Sequence, residues 1–149
     1  MSEEAEAEVQ ADLVGIRGWL ILPAIGLSAG PIIGIVALGY ATTLFSDVAA
    51  AGQGGLYAFE LAMEFALLGL MIFAAVRFFG KRSNAPKFIV GLLIVAIGIV
   101  ALQLAVELSV GARDFAIESI KQLVRNIIGA AIWIPYFVVS KRVKATFIR

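Results

Sequence analysis

The 149-residue sequence contains no cysteine and no histidine. The first absence excludes disulfides, thiolate nucleophiles and cysteine-held metals. The second removes the one side chain that ordinarily titrates near neutral pH, and with it the commonest metal ligand and general base. Zinc and haem sites built on these residues and His-activated nucleophiles fall with them. Charge is also scarce, at 15% of residues, where a soluble domain has about a quarter. What acid–base chemistry survives is carboxylate chemistry alone, so a non-enzymatic protein without metal or cofactor is expected. A net charge of +1 selects no partner.

In their place stands apolar bulk. Hydrophobic residues make up 61% of the chain, and the mean hydropathy is +0.97. They form long runs, neither an alternating pattern nor a single stripe, which reads as a multi-pass membrane protein. The length suits one small bundle, residues 1–149, with no separate soluble domain.

The N-terminus does not read as a signal peptide, since Glu3, Glu4, Glu6, Glu8 and Asp12 precede the first apolar run. Residues 1–12 form an acidic tail. The first predicted span covers 18–45, longer than the ~30 Å hydrocarbon core requires, with Trp19 at the interface and Pro23 and Pro31 as bends. Within it Gly26, Gly30 and Gly34 repeat every four residues. That spacing puts three small residues on one helix face, where another backbone can come close, inside this chain or on a partner. A Gly-rich loop over 46–55 leads to a second span over 56–79. Its uncharged core, 65–76, is too short to cross, so Glu64 or Arg77 must snorkel or pair. The basic loop at 80–87 ends on Pro86, a helix-starting position. A third span covers 88–108. Over 109–124, charges interleave with apolar residues, which predicts a short amphipathic helix at the interface before a fourth span over 125–140.

Lys and Arg set the orientation. Arg17, Arg77, Lys81, Arg82, Lys87, Lys141, Arg142, Lys144 and Arg149 fall on one side, and Arg113, Lys121 and Arg125 on the other. The richer side faces the cytoplasm. The fold expected is all-α: four antiparallel transmembrane helices with both termini inside. The basic face meets anionic lipid headgroups, and nucleic acid is not an expected partner.

One polar constellation stands out. Glu60, Glu64, Gln103, Glu107 and Arg125 fall toward the outer ends of spans two, three and four. Glu60 and Glu64 are four apart, as are Gln103 and Glu107, so each pair shares a helix face. Glu64 lies thirteen residues from Arg77, ~20 Å along a helix, and Arg125 sixteen residues from Lys141, ~24 Å. Acid and base thus reach similar depth, and pairing inside the bundle would relieve the cost of charge in hydrocarbon. The group reads as a candidate polar site for a cation, proton, lipid headgroup or small solute, or as boundary residues wetted by headgroups.

The C-terminal stretch carries a resemblance. Trp133, Ile134, Pro135, Tyr136 and Phe137, then Ser140, Lys141, Arg142, Val143 and Lys144, and then Thr146 and Phe147, resemble the closing signature of a bacterial inner-membrane family, domain-of-unknown-function family number 2569. The opening around Gly15, Gly18, Trp19 and Leu20 is similar to that family's start, with Arg17 where a small residue is expected. The resemblance implies a four-helix protein of the bacterial cytoplasmic membrane and no particular reaction. The role expected first is an accessory or assembly subunit packing on other membrane proteins through its Gly face; the alternatives are a small transporter, channel or ligand-binding protein that acts as a homo-oligomer and uses the outer polar group, and a lipid or envelope sensor.

Overall fold

The computed structural model describes residues 15–148; the acidic tail expected at 1–12 lies outside them. Six α-helices follow a 3-10 turn at Gly18–Leu20, and no strand occurs among the described residues. Four are long: α1 (Ile21–Thr43), α3 (Gly54–Phe79), α4 (Ala85–Ser109) and α5 (Arg113–Val139). Each is long and apolar enough to cross a membrane. Two are short, α2 (Phe45–Ala50) and α6 (Lys141–Thr146).

Two segments differ from the sequence expectation. The glycines after the first span predict a loop, yet Phe45–Ala50 is helical and the break falls at Gly52, at φ 82°. The alanines of that stretch are strong helix formers. The second difference is larger. No separate amphipathic helix precedes a span at 125: one helix of 27 residues runs from Arg113 to Val139. Nothing between Arg113 and Ser140 interrupts the backbone hydrogen bonds except Pro135, which α5 carries within it. The true break lies earlier, at Gly111, whose φ of 73° belongs to the left-handed region that favours glycine. Pro86 stands in the first turn of α4 as its fixed φ favours.

Neighbouring long helices pack in chain order, α1 on α3, α3 on α4, and α4 most extensively on α5. The glycine repeat serves the first of these contacts. A Cβ at Gly30 would sit 3.0 Å from Met71 Sδ, and one at Gly34 would sit 3.0 Å from Leu68 Cδ1. Gly26 has nothing within 4 Å. Two of the three glycines therefore admit α3 side chains, and the third stays open. Nearer the end of α1, Tyr57 Oη donates to the Ala41 carbonyl at 2.9 Å, and its ring stacks on Phe45.

The hydrophobic core occupies one end of the bundle. Leu20 and Leu27, Ala74 and Phe78, Ala85 and Ile89, Phe137, Val143 and Phe147 are buried together. They come from the start of α1, the end of α3, the start of α4, the end of α5 and α6. Trp133 and Tyr136 pack against them. The C-terminal segment belongs to this core: Ser140 caps α6 through a long 3.5 Å bond from the Val143 N–H, and the Phe147 ring lies 5.2 Å from Phe78. The two ends of the described chain are tied. The Gly15 N–H donates to Thr146 Oγ1 at 3.1 Å, and that hydroxyl donates to the Gly15 carbonyl at 3.2 Å. Arg77 lays its guanidinium against Phe73 and Phe88, 4.6 and 5.0 Å from the ring centroids.

The glycines yield a paired test. Gly30→Leu forces the bulk of a leucine against Met71 and should destabilise the fold by about 1–3 kcal/mol, as overpacking does. Gly26→Leu meets open space and should leave stability unchanged. Thermal loss of monodisperse protein after extraction reads both. Equal sensitivity at the two positions would show that Gly30 is not packed on α3.

Candidate functional site

The opposite end of the bundle is hollow, and the reason is side-chain size and polarity. Where the core end carries Phe78, Ile89 and Phe137, the other half of α1 presents Gly34, Ala37 and Ala41, and α4 presents Ala96. These side chains are too small to meet across the bundle. The facing turns of α5 carry Phe115, Ser119, Gln122 and Asn126, a stripe at i, i+4, i+7 and i+11 that lies on one helix face. The result is a cavity of about 750 Å³ lined by all four long helices. Binding sites for small organic molecules commonly span about 300–1,000 Å³.

The wall has two zones. Leu67, Leu68 and Met71 of α3 and Leu92, Leu93 and Ala96 of α4 form an apolar floor toward the core. Tyr57, Glu60 and Glu64 of α3, Gln103 and Glu107 of α4, and Asp114, Glu118, Ser119, Gln122 and Asn126 of α5 form a polar zone nearer the other end. Five carboxylates line the hollow, and no Lys or Arg among the described residues does.

Glu107 is the singular member. Its side chain is 2% exposed. Oε1 accepts a 2.7 Å hydrogen bond from Ser119 Oγ. Oε2 is buried with no partner among the described residues. Gln103, one turn earlier, is 5% exposed. Glu60 is half-buried, and its Oε1 is likewise buried without a partner; it feels the charges of Glu64 and Glu107. Glu64 is half-buried and lines the same wall as Gln122. An unpaired buried polar group costs free energy that the fold must offset elsewhere, which makes such a group a marker of function.

Four of the five residues singled out in the sequence therefore line one hollow: Glu60, Glu64, Gln103 and Glu107. Arg125 does not join them. It is exposed, seven residues and two helical turns beyond Glu118 on the row that also holds Lys121, at the shoulder of α5. The expected acid–base pairing of Arg125 with Glu64 or Glu107 is absent among the described residues. Lys121 pairs with Glu118 at 2.6 Å on the same exposed shoulder, where both side chains are more than half exposed. Such a pair contributes little to stability. Ser119, Gln122 and Asn126 were missed because their stretch was read as a surface helix. Their signal was present in the sequence as a polar row at helical spacing.

The residues of the closing signature stand apart from the hollow. Phe137 is buried in the core, Trp133 and Tyr136 stack about it with ring centroids 5.7–6.5 Å apart, and Pro135 lies within α5. Ser140 caps α6, Lys141 is exposed, and Arg142 is half-buried alongside Gly18. Trp19 is 67% exposed.

Four apolar helices around an acidic, half-apolar hollow define a helical membrane protein with a cavity between its spans. Residues 13–148 match the family described as protein of unknown function, DUF2569, and the chain belongs to that family. No curated protein and no solved structure matches it.

The Glu107–Ser119 contact has a measurable consequence. Ser119→Ala leaves both Glu107 oxygens unpaired and should cost about 1–3 kcal/mol. Adding Glu107→Leu removes the orphaned charge and should recover most of that loss, because replacing both partners by apolar groups is nearly neutral. Thermal stability of the single and double variants decides it. A double variant no more stable than Ser119→Ala would show that the hydrogen bond does not hold Glu107.

Proposed function

We propose that this chain is a non-enzymatic multi-pass protein of the bacterial cytoplasmic membrane that binds a small molecule in the hollow between its four spans. The observation that carries the reading is Glu107, buried in the cavity wall with one oxygen unpartnered. A carboxylate there serves no packing purpose that an apolar residue would not serve better. The spans run antiparallel with both termini inside. The order of contacts supports that direction, since Gly30 meets Met71 and Gly34 meets Leu68. The excess of Lys and Arg at the core end supports the orientation. The hollow then lies in the outer half of the bilayer.

A second role, as an accessory subunit, is favoured by one observation. Gly26 leaves a small-residue site on α1 uncovered by the described residues, a place where a partner's helix can approach. Gly30 and Gly34 are occupied by α3 and are not available in the same way.

Native mass spectrometry of the full chain, gently extracted from its own membrane, tests the binding role. A retained small molecule is expected, and it should be lost in Ala96→Trp, which fills the hollow. A stoichiometric second protein with no small molecule, itself lost in Gly26→Leu, would sink the binding role in favour of the subunit.

Orientation is checked on the same chain. Because it has no cysteine, each introduced cysteine is unique. In intact cells an impermeant maleimide should label Gln53→Cys and spare Ser83→Cys. The reverse pattern would invert the topology and place the hollow at the cytoplasmic side.

A further inference from the structure

The hollow combines three features that together restrict what it can hold. Its charge is of one sign: the lining carries carboxylates from α3, α4 and α5 and no cationic side chain among the described residues. Its floor is apolar, and its volume, about 750 Å³, far exceeds that of a bare ion. And no cluster of three or more carboxylates close enough to hold a metal ion occurs among the described residues. Acids spread around an apolar cavity do not make a coordination shell, which needs several oxygens at about 2.0–2.6 Å from one point.

We infer that the hollow takes an amphiphilic organic monocation, its charged centre paired with Glu107 and its apolar body seated on the Leu68, Met71, Leu92 and Leu93 floor. This rests on the proposal that the hollow is a binding site and adds the chemical class of the occupant. Glu107 carries the assignment because it is both buried and incompletely partnered. Ser119 holds one oxygen at 2.7 Å, which fixes the side chain, and the other oxygen is the group that lacks a partner. A cation supplies that partner without requiring a directional donor. In a low-dielectric site the pairing is far stronger than in water, whereas a neutral ligand leaves the carboxylate uncompensated. Glu60 adds a second buried carboxyl oxygen without a partner among the described residues. Tyr57 and Phe115 stand in the same zone of wall, and aromatic rings attract organic cations through their faces. Lys121 pairs with Glu118 at the exposed rim, and no Lys or Arg lines the hollow among the described residues.

The decisive experiment compares two probes of the same shape and opposite charge, tetraphenylphosphonium and tetraphenylborate. Binding is measured by equilibrium dialysis on the full chain in nanodiscs of zwitterionic phospholipid, with protein-free nanodiscs subtracted. The expected result is saturable binding of tetraphenylphosphonium and none of tetraphenylborate. Glu107→Gln, which keeps an acceptor for Ser119, should weaken phosphonium binding at least tenfold. Glu60→Gln should weaken it less, and Lys141→Gln, outside the hollow, should leave it unchanged. Equal uptake of both ions, no saturable phosphonium binding, or an unchanged affinity in Glu107→Gln overturns the inference. Ala96→Trp separates the two levels of the proposal. Phosphonium binding lost in Ala96→Trp but kept in Glu107→Gln would retain the hollow as a binding site and reject Glu107 as the partner of the charge. Binding unchanged in both variants would place the probe elsewhere and reject the hollow as its site.

Discussion

The hydrogen bond from Ser119 to Glu107 joins the end of α4 to the first turns of α5 at a carboxylate buried between the two helices. Much of the molecule follows from that join. It requires α5 to be helical as early as Ser119, twenty residues before Val139. It also requires the chain to turn sharply enough after Ser109 for α5 to come back along α4. Gly111, with its left-handed backbone, supplies that turn. With α4 and α5 so joined, Gln103, Gln122 and Asn126 fall into register around one space. The uncharged polar row of α5, Ser119, Gln122 and Asn126, is turned inward.

Packing divides the bundle into a filled end and an empty one. Aromatic and branched side chains fill the first, and α6 closes over it with Val143 and Phe147. The tie between Gly15 and Thr146 fastens the beginning of the described chain to its end. That rigid end frees the other. A cavity lined by Gly34, Ala37 and Ala96 forfeits dispersion contacts that larger residues would make. Such a loss is tolerable only in a fold anchored elsewhere. The arrangement resembles the general design of ligand sites between the helices of a bundle, where a preformed concavity is held by a packed scaffold.

Long uninterrupted apolar runs declared the four membrane-crossing helices, and their ends were legible to within a few residues for α1, α3 and α4. The i,i+4 spacing of Glu60 with Glu64 and of Gln103 with Glu107 likewise placed each pair on one face, and the structure shows those faces lining a common hollow. Hydropathy misled at α5. Charges at Arg113, Asp114, Glu118, Lys121 and Arg125 suggested a helix lying on the surface. But a charge says only that its own row must reach water. Glu118, Lys121 and Arg125 do so along one exposed shoulder, while the adjacent row of Ser119, Gln122 and Asn126 turns inward. Equal depth made Arg125 look like a partner for Glu64; angular position about the helix, which a depth estimate ignores, separates them. That Gly30 and Gly34 would admit Met71 and Leu68 could not be read from spacing alone, since small-residue faces serve partners inside and outside a chain equally well.

The aromatic and basic residues of the closing stretch sit at the filled end. Phe137 is core, Trp133 and Tyr136 stack around it, and Ser140 begins the helix that closes the bundle. These roles are architectural: they explain why a chain with this ending folds as it does, and they touch none of the carboxylates in the hollow. The closing stretch therefore accounts for part of the scaffold and supplies none of the residues that line the hollow. A fold is a frame on which sites are placed, and the site must be argued from its own geometry. Here that geometry is a buried acid with one oxygen held and one unmatched, above an apolar floor. Substitutions at Glu107, Ser119 and the small residues of α1 and α4 would change what the hollow accepts without disturbing the end that holds the helices together.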